Sequence, residues 1–291
     1  MQSMKPLQLF LPLFLILVSS LKAQESRVFD ALSMNSEILD MERKFAVYLP
    51  PGYEYSQLSY PVLYLLHGAG DDQTGWVQFG EVQHIADKAF AEGIATQMII
   101  VMPDANTGKR GYFNDVNNDW RYEDFFFEEL MPYVESTYRI KKEKRYRAIA
   151  GLSMGGGGTY FYAMHRPDLF SSACPLSAAL RNNSFEDFKN GLVSNEVEVK
   201  NPATLEAYYD RHQALRQIEV NDAEDIKSVK WFFDCGDDDF LYEGNSLVHI
   251  AMKKKEIPHE FRIRDGAHNW TYWRESLPTV LSFVSDTFRQ K

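Results

Sequence analysis

Arg145-Tyr146-Arg147-Ala148-Ile149-Ala150-Gly151-Leu152-Ser153-Met154-Gly155-Gly156-Gly157-Gly158 is the stretch on which the reading of this chain turns. Residues 145–150 form the pattern of a short buried strand, and the residues from Met154 to about His165 that of a helix. A serine between two glycines at such a strand-to-helix turn is held in a strained conformation, with its hydroxyl thrust out above the sheet. Glycine at 151 and 155 lets the neighbouring backbone pass without a Cβ in the way. Gly155 to Gly158 continue into the helix, where each costs about 1 kcal/mol relative to alanine. A sequence that accepts that cost needs close helix-to-sheet contact there. Ser153 is the candidate nucleophile.

The segments on either side supply the sheet. Leu32 to Ile38 and Arg43 to Leu49 alternate like two antiparallel strands and end at the turn Pro50-Pro51-Gly52. Short continuous apolar runs follow at Val62 to Leu66, Met98 to Met102, Ala148 to Ala150 and Trp231 to Phe233. Continuous runs belong to strands buried on both faces, hence to a mostly parallel, doubly wound sheet with helices on both faces, in three layers. Between them, Phe126, Phe127, Leu130, Met131 and Val134 make one helical face, which Pro132 should kink. Tyr208, Tyr209, His212, Leu215 and Ile218 make another. The polar stretch 180–227 interrupts the alternation and reads as a helical insertion over or beside the site.

The first 23 residues read as an export signal. Lys5 is the positive start, Leu9 to Val18 the apolar stretch and Ala23 the small residue at the cleavage point. Ten apolar residues are about half of the ~20 that a membrane span needs. Residues 24–291 then form a single catalytic domain in a periplasmic or extracellular setting. The whole chain carries a formal charge of −10. Removal of Lys5 and Lys22 leaves 29 of the 31 basic residues against 41 acidic ones, a balance of −12. That excess argues against nucleic acid or an anionic membrane as partner. Cys174 and Cys235 fall on strands expected to be neighbours in the sheet. Side chains so placed rarely meet the geometry of a disulfide, so both are expected as buried thiols. Two are too few for a metal cage; neither a metal nor a cofactor is expected.

A serine nucleophile needs a base, a group to orient that base, and donors for the oxyanion. On this architecture the acid and the histidine follow the serine along the chain, on loops after later strands. His212 and His249 fall within predicted helices, and His259 opens a strand. His268, in Asp265-Gly266-Ala267-His268-Asn269-Trp270, sits on a loop before the last helix, where a base belongs. The acid should come from Asp237-Asp238-Asp239, with Asp239 first and Asp238 next. One oxyanion donor should be the backbone N–H of Met154. The second should come from the loop His67-Gly68-Ala69-Gly70, in which the His67 imidazole fixes the loop rather than acting as base.

Taken together these segments resemble the esterase D-like α/β-hydrolases, and within them the family 1 carbohydrate esterases that include feruloyl and acetyl-xylan esterases. The resemblance is carried by Val47-Tyr48-Leu49-Pro50-Pro51-Gly52-Tyr53, Pro61-Val62-Leu63-Tyr64-Leu65-Leu66-His67-Gly68 and Glu128-Glu129-Leu130-Met131-Pro132-Tyr133-Val134. It continues through Gly151-Leu152-Ser153-Met154-Gly155-Gly156 and Gly266-Ala267-His268-Asn269-Trp270. It implies the α/β-hydrolase fold, Ala69 and Met154 as the oxyanion amides, and Asp239 as the acid through the family's Gly-x-x-Asp spacing from Gly236. The Asp237 to Asp239 run and the 180–227 insertion depart from the family pattern. With export, the resemblance implies acetyl or feruloyl esters on plant polysaccharides as substrate, with Trp76, Trp270 and Trp273 as an aromatic platform. A mycolyltransferase-like acyltransferase and a non-catalytic carbohydrate-binding protein are the rival expectations. Oligomeric state is not encoded in any of these features.

Overall fold

The expected alternation of strand and helix is realised in a computed structural model, which describes residues 25–106, 111–180, 182 and 184–289. The expected export signal, residues 1–23, lies outside these. The strands are β1 (Arg27–Ser36), β2 (Met41–Leu49), β3 (Val62–Leu66), β4 (Ile99–Pro103), β5 (Arg147–Leu152), β6 (Ser172–Leu176), β7 (Lys230–Gly236) and β8 (His259–Arg264). They form one sheet in the order β1-β2-β4-β3-β5-β6-β7-β8. β1 and β2 are antiparallel to each other, β2 is antiparallel to β4, and the six strands from β4 to β8 run parallel. This is the α/β-hydrolase fold.

The helices are α1 (Gly75–Gln78), α2 (Val82–Ala91), α3 (Tyr122–Asp124), α4 (Met131–Thr137), α5 (Met154–His165), α6 (Phe185–Ser194), α7 (Leu205–Arg211), α8 (Ala214–Val220), α9 (Ala223–Lys227), α10 (Tyr242–Lys254) and α11 (Trp270–Arg289). Strand residues alternate between two cores. Val62, Tyr64 and Leu66 meet the aromatic face of α5, while Leu63 and Leu65 meet α2 and α11. No helix among the described residues is long and apolar enough to cross a membrane.

Three local expectations are refined. The first strand begins at Arg27 and stops at Ser36 instead of reaching Ile38, because the Glu129 carboxylate takes the N–H groups of Glu37 and Ile38 at 2.9 and 3.0 Å. Before Pro132 the helix does not simply kink: residues Phe125–Leu130 widen into a π-helical segment that passes into α4. Proline offers no N–H, and a wider turn is one way for a helix to accommodate that loss. The single helix expected across Tyr208–Ile218 is two, with His212 capping α7 instead of lying inside a helix. Its Nδ1 donates to the Tyr208 carbonyl at 2.8 Å, while its own N–H turns to Tyr209.

The four α5 glycines are used as their cost suggests. A Cβ on Gly155 would lie 2.5 Å from the His67 carbonyl oxygen, and one on Gly156 would lie 2.6 Å from that of Leu176. A Cβ on Gly157 would lie 2.7 Å from the Ala179 carbonyl oxygen, and one on Gly158 would lie 2.9 Å from the Tyr112 ring. Gly156→Ala therefore sets a helix-propensity gain of about 1 kcal/mol against an overpacking cost of about 1–3 kcal/mol. The atoms it would strike are backbone and cannot swing aside, so the cost wins. A melting temperature several degrees lower is expected; an equal or higher one in thermal unfolding would show that the helix can slide outward.

Candidate active site

Because β3, β5, β7 and β8 run parallel, the loops after them open on one rim of the sheet, the usual place for ligands in such folds. Ser153 follows β5 with φ 54° and ψ −116°, a conformation that L-residues avoid. Backbone bonds hold it there. Its N–H donates to Leu176 at 2.9 Å, and its carbonyl accepts from Gly157 at 3.0 Å and Ala179 at 2.9 Å.

The hydroxyl of Ser153 lies 2.9 Å from Nε2 of His268, and Nδ1 of the same ring lies 2.8 Å from Asp239 Oδ2. The structure thus brings together three residues drawn from the loops after β5, β7 and β8. With the Nδ1 proton donated to Asp239, Nε2 is left as acceptor for the serine O–H. Asp239 is 2 % exposed. Burial by itself would raise its pKa, but hydrogen bonds from His268, the Leu241 N–H and the Ser177 hydroxyl outweigh it and hold the carboxyl below its ordinary value. Asp237 and Asp238, by contrast, are exposed, and with Asp265 their carboxylates crowd within 4.8 Å of one another beside the site.

The loops that carry Asp239 and His268 are locked to each other through backbone. A Cβ on Gly236 would fall 2.1 Å from the Gly266 carbonyl oxygen. Asp238 N–H donates to that same oxygen at 3.1 Å, and Gly266 N–H returns a bond to Asp237 Oδ1 at 3.1 Å. Beneath them Asp234 is buried, accepts the Tyr272 hydroxyl, and lies 3.6 Å from the Arg264 guanidinium, which covers the Tyr272 ring. Sequence reading missed Ser177, Asp234 and Tyr272. An aspartate inside an apolar strand, Phe232-Phe233-Asp234-Cys235, was the available sign, since a buried carboxylate requires partners.

The loop after β3 comes close to the serine: a Cβ on Gly68 would be 2.6 Å from Leu152 Cδ1 and 3.4 Å from Ser153 Cβ. Ala69 follows, exposed to solvent. Met154 opens α5, so its N–H is one of the donors a helix start leaves over. Among the described residues neither the Ala69 nor the Met154 amide has a hydrogen-bond partner. His67 is buried, which lowers its pKa and keeps it neutral. Its Nδ1 donates to Gly68 O at 2.8 Å, and its Nε2 accepts from Ala105 N–H at 2.9 Å.

The tryptophan platform needs correction. Trp76 is fully buried with its indole N–H on the Leu66 carbonyl at 3.0 Å. Trp273 is 5 % exposed, and its N–H meets Ser177 Oγ at 3.0 Å. An indole donor buried in a core must find a partner, and both have done so under the rim, with no face left for a ligand. Trp270 alone is half-exposed. Cys174 and Cys235 are buried free thiols.

The depressed pKa of Asp239 ties it to stability. Its ionised form is favoured in the folded protein, so its contribution is complete above the unfolded carboxylate pKa and lost as pH falls through the folded value. The stability difference between the wild type and Asp239→Asn in urea should therefore shrink below about pH 4. A difference that grows on acidification would mean the carboxyl is protonated more readily in the fold than outside it.

Residues 36–284 match the Esterase family model. An endo-1,4-beta-xylanase/feruloyl esterase of Xylanibacter ruminicola is 37 % identical over 242 residues, covering 79 % of this chain and 28 % of that protein. The chain spans under one third of the length of the first curated relatives it matches. Among solved structures, a ferulic acid esterase superimposes with a TM-score of 0.79 at 35 % identity, over 91 % of this chain and 99 % of that one. An S-formylglutathione hydrolase of Staphylococcus aureus shares the fold at 22 % identity, with a TM-score of 0.70 over 90 % and 99 % of the two chains. The family match runs through β2 to α11 and takes in all the loops of the rim. The chain belongs to the esterase family.

Proposed function

We infer that this chain is a serine esterase that cleaves carboxylic esters through an acyl-enzyme. The observation that carries this reading is the unbroken run of hydrogen bonds from Ser153 through His268 to buried Asp239. Ser153, His268 and Asp239 are the catalytic residues in it, and the Met154 and Ala69 amides form the oxyanion hole.

His268 Nε2 takes the Ser153 proton as Oγ bonds to the ester carbonyl carbon. The carbonyl electron pair moves onto oxygen, which the two amides receive. The pair then returns, the bond to the alcohol oxygen breaks, and that oxygen leaves with the proton held on Nε2. Water repeats the sequence: His268 takes its proton, the hydroxide forms the acid with the acyl carbon, and Ser153 recovers its hydrogen. Asp239 keeps the imidazole proton on Nδ1 throughout, so Nε2 always faces the serine.

The finer reading concerns substrate and place. The substrate in this reading is a feruloyl or acetyl ester on a plant polysaccharide, or a small ester of the same acid, and the relative named for xylanase and feruloyl esterase activity supports the feruloyl form. Residues 1–23 serve as the export signal of a periplasmic or extracellular enzyme, and residues 24–291 as one catalytic domain. Within it the 180–227 insertion lies beside the active-site face. Its α8 packs on α5 through the Tyr160 hydroxyl, which donates to Ala214 O at 2.7 Å, and on α10 through Lys255.

Ser153→Ala should lower kcat on a feruloyl or acetyl ester by on the order of 10⁴-fold or more. It should also abolish labelling by a fluorophosphonate, with the melting temperature nearly unchanged. Retained turnover, or activity and stability falling together, would remove Ser153 from the chemistry.

A further inference from the structure

We propose that Phe240 is the platform for the alcohol half of the ester, its exposed ring face taking the sugar ring of a glycosyl leaving group. This rests on the esterase reading above. Phe240 is the residue after Asp239, and it is 75 % exposed. Yet its ring does not stand free in solvent: the centroid is 4.5 Å from that of the His268 imidazole, with the planes inclined by 49°. Trp273, the other ring against the imidazole, meets it edge-on at 4.9 Å and is buried. Of the two, only Phe240 has area left for a ligand.

Proton transfer decides which half of the ester lies there. The oxygen that leaves must receive its proton from His268 Nε2, so it must come within about 2.6–3.2 Å of that atom. The acyl oxygen is drawn instead toward the Met154 and Ala69 amides, on the loop side of the serine. The alcohol half therefore departs past the imidazole, and the exposed ring against the imidazole is Phe240. The face of an aromatic ring is electron-rich. The C–H groups lining one face of a pyranose or furanose carry small positive charge and match it in shape and sign. A methyl alcohol has neither the area nor the flat face.

The test compares two esters of one acid, methyl ferulate and a ferulate ester of a methyl pentoside, by their kcat/KM. The readout is the ratio between them, which is independent of the fraction of folded enzyme. Phe240→Ala should lower the preference for the sugar ester by about three- to tenfold, and Phe240→Tyr, which keeps the ring, should restore it. A ratio unchanged in Phe240→Ala, with both esters slowed alike, would reduce the ring to a support for the imidazole and overturn the proposal. Failure of Phe240→Tyr to recover the ratio would do the same. No turnover of either ester by the unsubstituted protein would instead overturn the esterase reading, and the platform with it.

Discussion

The approach of α5 to the ends of β3 and β6, at distances that no Cβ tolerates, determines where the Ser153 hydroxyl can be. The serine sits in a conformation costing about 1–3 kcal/mol, which persists only where surrounding structure enforces it. Here the enforcement is the Leu176 carbonyl on one side and the Gly157 and Ala179 amides on the other. Each such bond contributes about 0.5–1.5 kcal/mol net, enough in sum to offset the strain. All three depend on the helix start lying against the strand ends, and therefore on the missing side chains at 155, 156 and 157. Gly236 against Gly266 does the same for the loops that carry Asp239 and His268. The relative placement of Ser153, His268 and Asp239 is thus set by backbone meeting backbone, before any side chain is considered.

Two buried carboxylates near the end of β7 show how environment separates roles. Asp234 faces a phenol and a guanidinium, partners that leave it no access to the rim. Asp239, one turn further on, faces an imidazole, a backbone amide and a serine hydroxyl. The Ser177 hydroxyl in turn accepts the Trp273 indole N–H, so a chain of hydrogen bonds leads from the core to the imidazole. Histidine on a loop is ordinarily a poor choice for a fixed base. Held at Nδ1 by Asp239 and packed by two rings, His268 has the definition of a residue on a strand.

Much of this was legible in the sequence, and the reason lies in the backbone. A glycine-flanked serine, a glycine-rich helix start and a histidine between β8 and α11 each reflect a steric or topological need that few other residues satisfy. Asp239 and Asp238 were harder to separate, since adjacent carboxylates look alike until one is buried. The tryptophans failed for a related reason. Sequence shows that a residue is large and aromatic but not which of its faces is covered, and Trp76 and Trp273 proved to be core. Phe240 follows Asp239 directly and drew no attention, because an exposed ring beside a carboxylate has no periodic signature. The break between α7 and α8 was hidden as well. Apolar spacing persists across it, and only the His212 side chain bonding back to Tyr208 shows that the helix ends there.

The placement of Phe240 bears on how such a site can change its preference. The residue shares its backbone with the acid: Asp239 N–H donates to Gly236, Tyr242 N–H to the Asp239 carbonyl, and Leu241 N–H to the Asp239 carboxylate. A shift of the loop large enough to reposition the ring would pull Asp239 from His268. Preference for one alcohol over another at this point must therefore change through the side chain at 240, with the loop left where it is. The described residues of 180–227 are restrained in a different way. They pack on α5, beside α10 and on the loop around Asn117, where Asn117 Nδ2 donates to the Glu198 carbonyl at 2.8 Å. Ala214, Ile218 and Ile226 among them are buried in the main core, so that segment is held by side-chain packing, whereas the residue beside Asp239 is held by the loop that carries the carboxylate.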